Sequence, residues 1–110
     1  MKTPKLPELG QVVEVMRGRD RGLFAVVIGH VPDRFVQIAD GDKRKVDKVK
    51  IKNVLHVRPM PYVDGDIAHA LRNGEKITNA NLRYALRRFL ASRVQHDEVC
   101  DEEGVQRGEG

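Results

Sequence analysis

Apolar residues recur with two-residue alternation in the first half of the chain and at helical spacing in the second, which predicts strands followed by helices. Gln11 to Met16 reads as a first strand, with Gln11, Val13 and Val15 on one face and Val12, Glu14 and Met16 on the other. Leu23 to Ile28 is an unbroken apolar run of strand length. A strand without a polar face is expected to be buried on both sides, and the C-terminal helices are the available cover. Between the two runs, Arg17-Gly18-Arg19-Asp20-Arg21-Gly22 predicts a hairpin loop whose glycines supply backbone angles that a side chain resists. His30-Val31-Pro32-Asp33 signals a turn, and Phe35 to Ala39 a third strand. Asp40-Gly41 predicts a second hairpin turn, with Asp42 to Val46 returning as a fourth strand. Further on, Lys48, Lys50 and Lys52 share one face of an extended stretch, and Val49 and Ile51 the other; Asn53 breaks the alternation before a short last strand, Val54 to Val57.

Arg58-Pro59-Met60-Pro61 is expected to stop that strand and form an extended linker. Asp66 predicts the cap of a short helix through about Asn73, ended by Gly74. Thr78 predicts the cap of a longer helix to about Ser92, on which Leu82, Ala85, Leu86, Phe89 and Leu90 make one apolar stripe. Pro4 and Pro7 make residues 1–9 an extended arm. The fold class expected is therefore α+β, mainly β with C-terminal helices. It comprises a five-strand SH3-like barrel over 10–58, a linker and two helices packed on it over 59–94, and a disordered acidic tail over 95–110.

The strand, basic turn, glycine and Val-rich strand around Arg17 to Gly22 resemble the KOW motif of RNA-associated proteins. The stretches from Phe35 to Val46 and from Lys50 to Val57 extend the likeness to bacterial KOW-domain proteins. Those are related to eukaryotic and archaeal large-subunit ribosomal proteins numbered six, fourteen and twenty-seven. The resemblance covers the first half strongly and Asp66 to Leu90 more weakly. It implies RNA binding, with Gly22 at the motif's characteristic glycine.

Composition narrows the choice. Aromatic residues make up 5% with no Trp, so the core must come from Val, Ile and Leu, as suits a small β-rich fold. The absence of a long apolar stretch or a basic leader with an apolar core predicts a soluble, cytoplasmic protein with no membrane partner. Cys100 stands alone, which excludes an intrachain disulfide and argues against a thiolate metal site. Net charge is +4 but unevenly placed: residues 1–57 carry +5, residues 58–94 carry +4 and residues 95–110 carry −5. A domain this positive suits a polyanion. The acidic tail either competes for the same basic face or simply keeps the chain in solution.

Two groups carry the candidate chemistry. Arg17, Arg19 and Arg21 on a protruding turn are placed to fork onto phosphate oxygens or stack on exposed bases, with Gly18 and Gly22 allowing close backbone approach. A solvated hairpin tip is the plainer alternative. Lys43, Arg44, Lys45, Lys48, Lys50 and Lys52 put six cations in ten residues, a pattern that tracks an RNA backbone or protects a sheet edge from pairing. Asp40 and Gly41 are assigned a conformational role in the turn. Arg83, Arg87 and Arg88 on the second helix are a third possible contact, kept out of the primary site because an exposed helix face commonly carries arginine. Aromatic platforms are few, so recognition of backbone and shape in folded RNA is expected over readout of single strands. Scattered His30, His56, His69 and His96, with no acidic pair, nucleophile or phosphate loop, give no catalytic or metal constellation. The expectation is a non-catalytic, cofactor-free protein whose partner is RNA, ribosomal RNA or the ribosome. The alternative is a KOW-type protein-interaction module acting in transcription or ribosome assembly through the apolar helix stripe.

Overall fold

The apolar run after the arginine loop becomes the middle strand of the sheet. The computed structural model describes residues 6–101, with side chains through Arg93. Five strands, β1 (Gln11–Val15), β2 (Phe24–Val31), β3 (Phe35–Ala39), β4 (Lys50–Asn53) and β5 (Val57–Val63), precede two helices, α1 (Gly65–Arg72) and α2 (Asn79–Asp101). The strands pair antiparallel in the order β4-β3-β2-β1-β5, an α+β arrangement with β4 and β5 at the two edges. Their side chains form two clusters. Val13, Val15, Ala25, Val27, Val36, Ile38 and Val57 pack together in one, while Val12, Val26 and Ala39 join Met60, Ile67 and the α2 stripe in the other. Neighbours in β2 thus belong to opposite clusters, which explains a strand with no polar face.

The helices follow from their caps. Asp64, not Asp66, caps α1: its Oδ1 accepts from the Ile67 amide at 3.1 Å. The same nearly enclosed carboxylate receives Arg88 of α2 at 2.6 Å, tying the two helices together. Burial pulls the Arg88 pKa down, but the hydrogen bond and charge of Asp64 outweigh it and hold the guanidinium above its ordinary value. Thr78 caps α2 as expected, its Oγ1 accepting from Asn81 while Asn81 Oδ1 accepts from the Thr78 amide. Leu82, Ala85, Leu86 and Phe89 are buried against the sheet, and Phe89 meets Phe24 and Tyr62 edge-on at 5.2 and 5.5 Å between centroids. The helix runs past Ser92 to Asp101, into residues assigned from composition to the tail; residues 1–5 of the arm and 102–110 of the tail lie outside the described residues.

Three strand assignments change. Asp42 to Val46 does not return as a strand, because the Val46 amide donates to Asn79 Oδ1 at 2.8 Å and Val46 packs with Val49 on the helix side. The partner of β3 is instead Lys50–Asn53, in the register Val36 opposite Lys52 and Gln37 opposite Ile51. On this strand Ile51 is exposed while Lys50 and Lys52, on the opposite face as expected, are half-buried. Nor do the prolines stop the last strand. Val54–His56 is a short 3-10 turn, and β5 passes through Pro59 and Pro61, since an edge strand has N–H groups that pair with nothing. Pro61 lies where the β1–β5 register shifts, and Gln11 Nε2 reaches across to the Met60 carbonyl at 2.9 Å. The β2–β3 reversal also falls later than expected, at Pro32 to Arg34, because β2 extends to Val31.

Candidate nucleic-acid interface

The loop between β1 and β2 is closed by its own backbone. Gly22 N donates to the Val15 carbonyl at 2.7 Å and Val15 N to the Leu23 carbonyl at 2.9 Å, while Arg21 N reaches Gly18 O and Leu23 N reaches Asp20 O. The second of these reversals places Gly22 at its third position with φ +91°, a left-handed backbone that glycine supplies, and Gly18 leads into the first at φ +94°. The side chains of Arg17, Arg19 and Arg21 all project into solvent. Asp20 turns the other way. Its Oδ2 receives both Nε and Nη2 of Arg44, each at 2.8 Å.

Arg44 belongs to the second cationic stretch, so this pair joins the two groups. Lys52 adds a second tie, its Nζ donating to the Arg17 carbonyl at 2.9 Å. Arg44 and Lys52, expected as contacts, are thus both tied to the loop by these bonds. Lys43, Lys45 and Lys48 remain exposed beside it, and Lys50 is half-buried on β4. The residues from Asp42 to Lys48 surround a polar cleft of about 420 Å³ that gathers four cations and two carboxylates.

That stretch is held from below. Asp40 Oδ1 accepts from the amides of Asp42 and Arg44 at 2.9 and 2.8 Å, and Arg44 returns its carbonyl to the amides of Asp40 and Gly41. Arg83 of α2 donates to the Gly41 carbonyl at 2.7 Å, so one helix arginine set aside as surface is a brace for the basic loop. Arg88 is another brace, through Asp64. Sequence reasoning missed Asp20 and Asn79 as organisers. The available signal for Asp20 was an acid in the middle of an otherwise cationic loop; Asn79, far away in sequence, gave none.

The backbone carrying these cations is held at one end of the sheet, so that on meeting a phosphate only their side chains have to order. Among the described residues no three His, Cys, Asp or Glu side chains are grouped to hold a metal, and no helix is long and apolar enough to cross a membrane. Neither a scan against models of known protein families nor a search of curated proteins finds a match. The KOW resemblance therefore rests on the residues quoted for it.

Proposed function

We propose that this protein is a non-catalytic, cytoplasmic RNA-binding protein of KOW type that docks on structured RNA, in the first place ribosomal RNA. The observation that carries the reading is the joining of the Arg17 to Gly22 loop to the Lys43 to Lys52 stretch through Asp20–Arg44 and Lys52–Arg17. Arg17, Arg19 and Arg21 enter a groove or bulge and fork onto phosphates, while Lys43, Lys45 and Lys48 neutralise adjacent ones and release their counterions. The strands follow an SH3-like course in this reading, with the sheet open between β4 and β5; the Val13, Val27 and Ile38 cluster, to which β1, β2, β3 and β5 all contribute, supports it. The protein-module alternative loses ground because the α2 stripe meant to receive a partner is buried on the sheet, with Leu90 its exposed remainder.

Sedimentation of a cell extract at low and high salt tests the proposal. Co-migration with the large ribosomal subunit, lost at high salt and in the Arg17→Ala, Arg19→Ala, Arg21→Ala triple variant, is the expected result. A folded wild type that stays at the top of the gradient at low salt, with no RNA recovered on purification, overturns it.

A further inference from the structure

Beside the arginine loop, an open groove of about 440 Å³ runs between the start of β2 and the exposed side of α2. Gly22, Phe24, Leu86, Arg87 and Leu90 line it, with Asp40 and Asp42 on the strand-loop side. Its size is that of a small-ligand cleft and its walls are mainly apolar. Leu90 is 45% exposed although its four stripe companions are buried. Arg87 is exposed and makes no salt bridge among the described residues, whereas Arg83 and Arg88 are both engaged. At the groove's mouth Gly22 leaves open space: a Cβ there would meet nothing within 4 Å.

Resting on the RNA reading above, we propose that this groove takes one unstacked nucleobase carrying an exocyclic amino group, from the RNA strand docked on the adjacent loop. The polarity of the groove selects that occupant. A base offers two flat apolar faces to Phe24, Leu86 and Leu90. Its phosphate is matched by Arg87, and its amino group by the carboxylates. Asp42 is the exposed carboxylate of the lining, and Asp40, though buried, has Oδ1 held by two loop amides and Oδ2 with no hydrogen-bond partner among the described residues. An acidic peptide would set its carboxylates against Asp40 and Asp42, and a basic one its cations against Arg87. Uracil flanks its only N–H with two carbonyl oxygens that face the same carboxylates, so the bases with an amino group, adenine, cytosine and guanine, are preferred to uracil.

The test compares three RNA hairpins by fluorescence anisotropy at low salt: fully paired, with one bulged adenosine, and with one bulged uridine. The bulged adenosine is expected to bind about tenfold tighter than the paired hairpin, the scale of one stacked base, and the bulged uridine less. Leu90→Gln and, separately, Arg87→Ala should bring the adenosine-to-paired ratio close to one; both side chains are exposed, so the fold is retained, which circular dichroism checks. If all three hairpins bind equally, or the preference survives Leu90→Gln and leaves the groove to a protein segment, the base site is overturned while RNA binding stands. If none of the three binds the wild type, the RNA reading itself fails.

Discussion

Asp20 sits between Arg19 and Arg21 in sequence yet pairs with neither; its carboxylate reaches Arg44, twenty-four positions away, through two 2.8 Å contacts to one oxygen. The pair decides which cations face outward. With Asp20 anchored inward, the arginines on either side of it project into solvent, and Arg44 is drawn from the lysine-rich stretch to the base of the loop.

A double-mutant cycle should detect this coupling. Asp20→Ala and Arg44→Ala are each expected to destabilise the fold, with a coupling of about 1 kcal/mol, near the upper range for an ion pair that retains some solvent contact. Urea denaturation of the wild type, the two single variants and the double variant gives the value. Additive effects would mean that the pair is incidental and the loop is set by its backbone bonds alone.

Two glycines with nearly the same backbone should respond differently to alanine. Gly22 and Gly41 have φ of +91° and +81°, so both substitutions meet a left-handed penalty of about 1–2 kcal/mol. At Gly22 nothing else opposes the methyl group. At Gly41 it would run into the Asn79 carbonyl oxygen at the start of α2, and the helix would have to move. Gly41→Ala is therefore expected to lower stability by more than about 3 kcal/mol, against about 1 kcal/mol for Gly22→Ala. Equal denaturation midpoints for the two variants would show that the 40–46 loop is not clamped on the helix.

Much of this architecture was legible because it is local. The Val12 to Val15 and Leu23 to Ile28 runs, the arginine loop between them, and the Thr78 cap with its apolar stripe each depend on residues a few positions apart. What escaped depends on residues far apart. The fourth strand shifted to Lys50–Asn53 because Asn79 holds the Val46 amide, thirty-three positions away, and β5 kept its prolines because it lies at an edge. The candidate site divides in the same way. Which residues are cationic is plain from sequence, but whether Arg44 and Lys52 face a ligand or support the loop depends on Asp20 and the Arg17 carbonyl.

The Asp64–Arg88 pair makes a sharper stability prediction. Asp64 is nearly enclosed and caps α1, while Arg88 also reaches Asp66 and stacks its guanidinium 4.4 Å from the centre of the Tyr84 ring. Arg88→Met leaves that buried carboxylate without a counter-charge and is expected to cost about 3 kcal/mol. Arg88→Lys keeps the charge but loses the planar contacts, for about 1 kcal/mol. Thermal melting of both variants tests the order; a Met variant as stable as the Lys variant would show that Asp64 does not depend on the charge.

The salt dependence of binding separates the arginine loop from the lysines beside it. Each phosphate neutralised adds about 0.7–0.9 to the slope of log affinity against log salt. Replacing Arg17, Arg19 and Arg21 together by alanine is expected to reduce that slope by about two to three, and replacing Lys43, Lys45 and Lys48 together by about the same. Lys52→Ala should act differently. Its Nζ supports the loop through the Arg17 carbonyl, so its loss should lower affinity while changing the slope by less than one unit. Anisotropy titrations of a structured RNA between 50 and 200 mM salt give all three slopes. An unchanged slope for the lysine triple would confine the contact to the loop and reduce the Asp42 to Lys48 stretch to its scaffold.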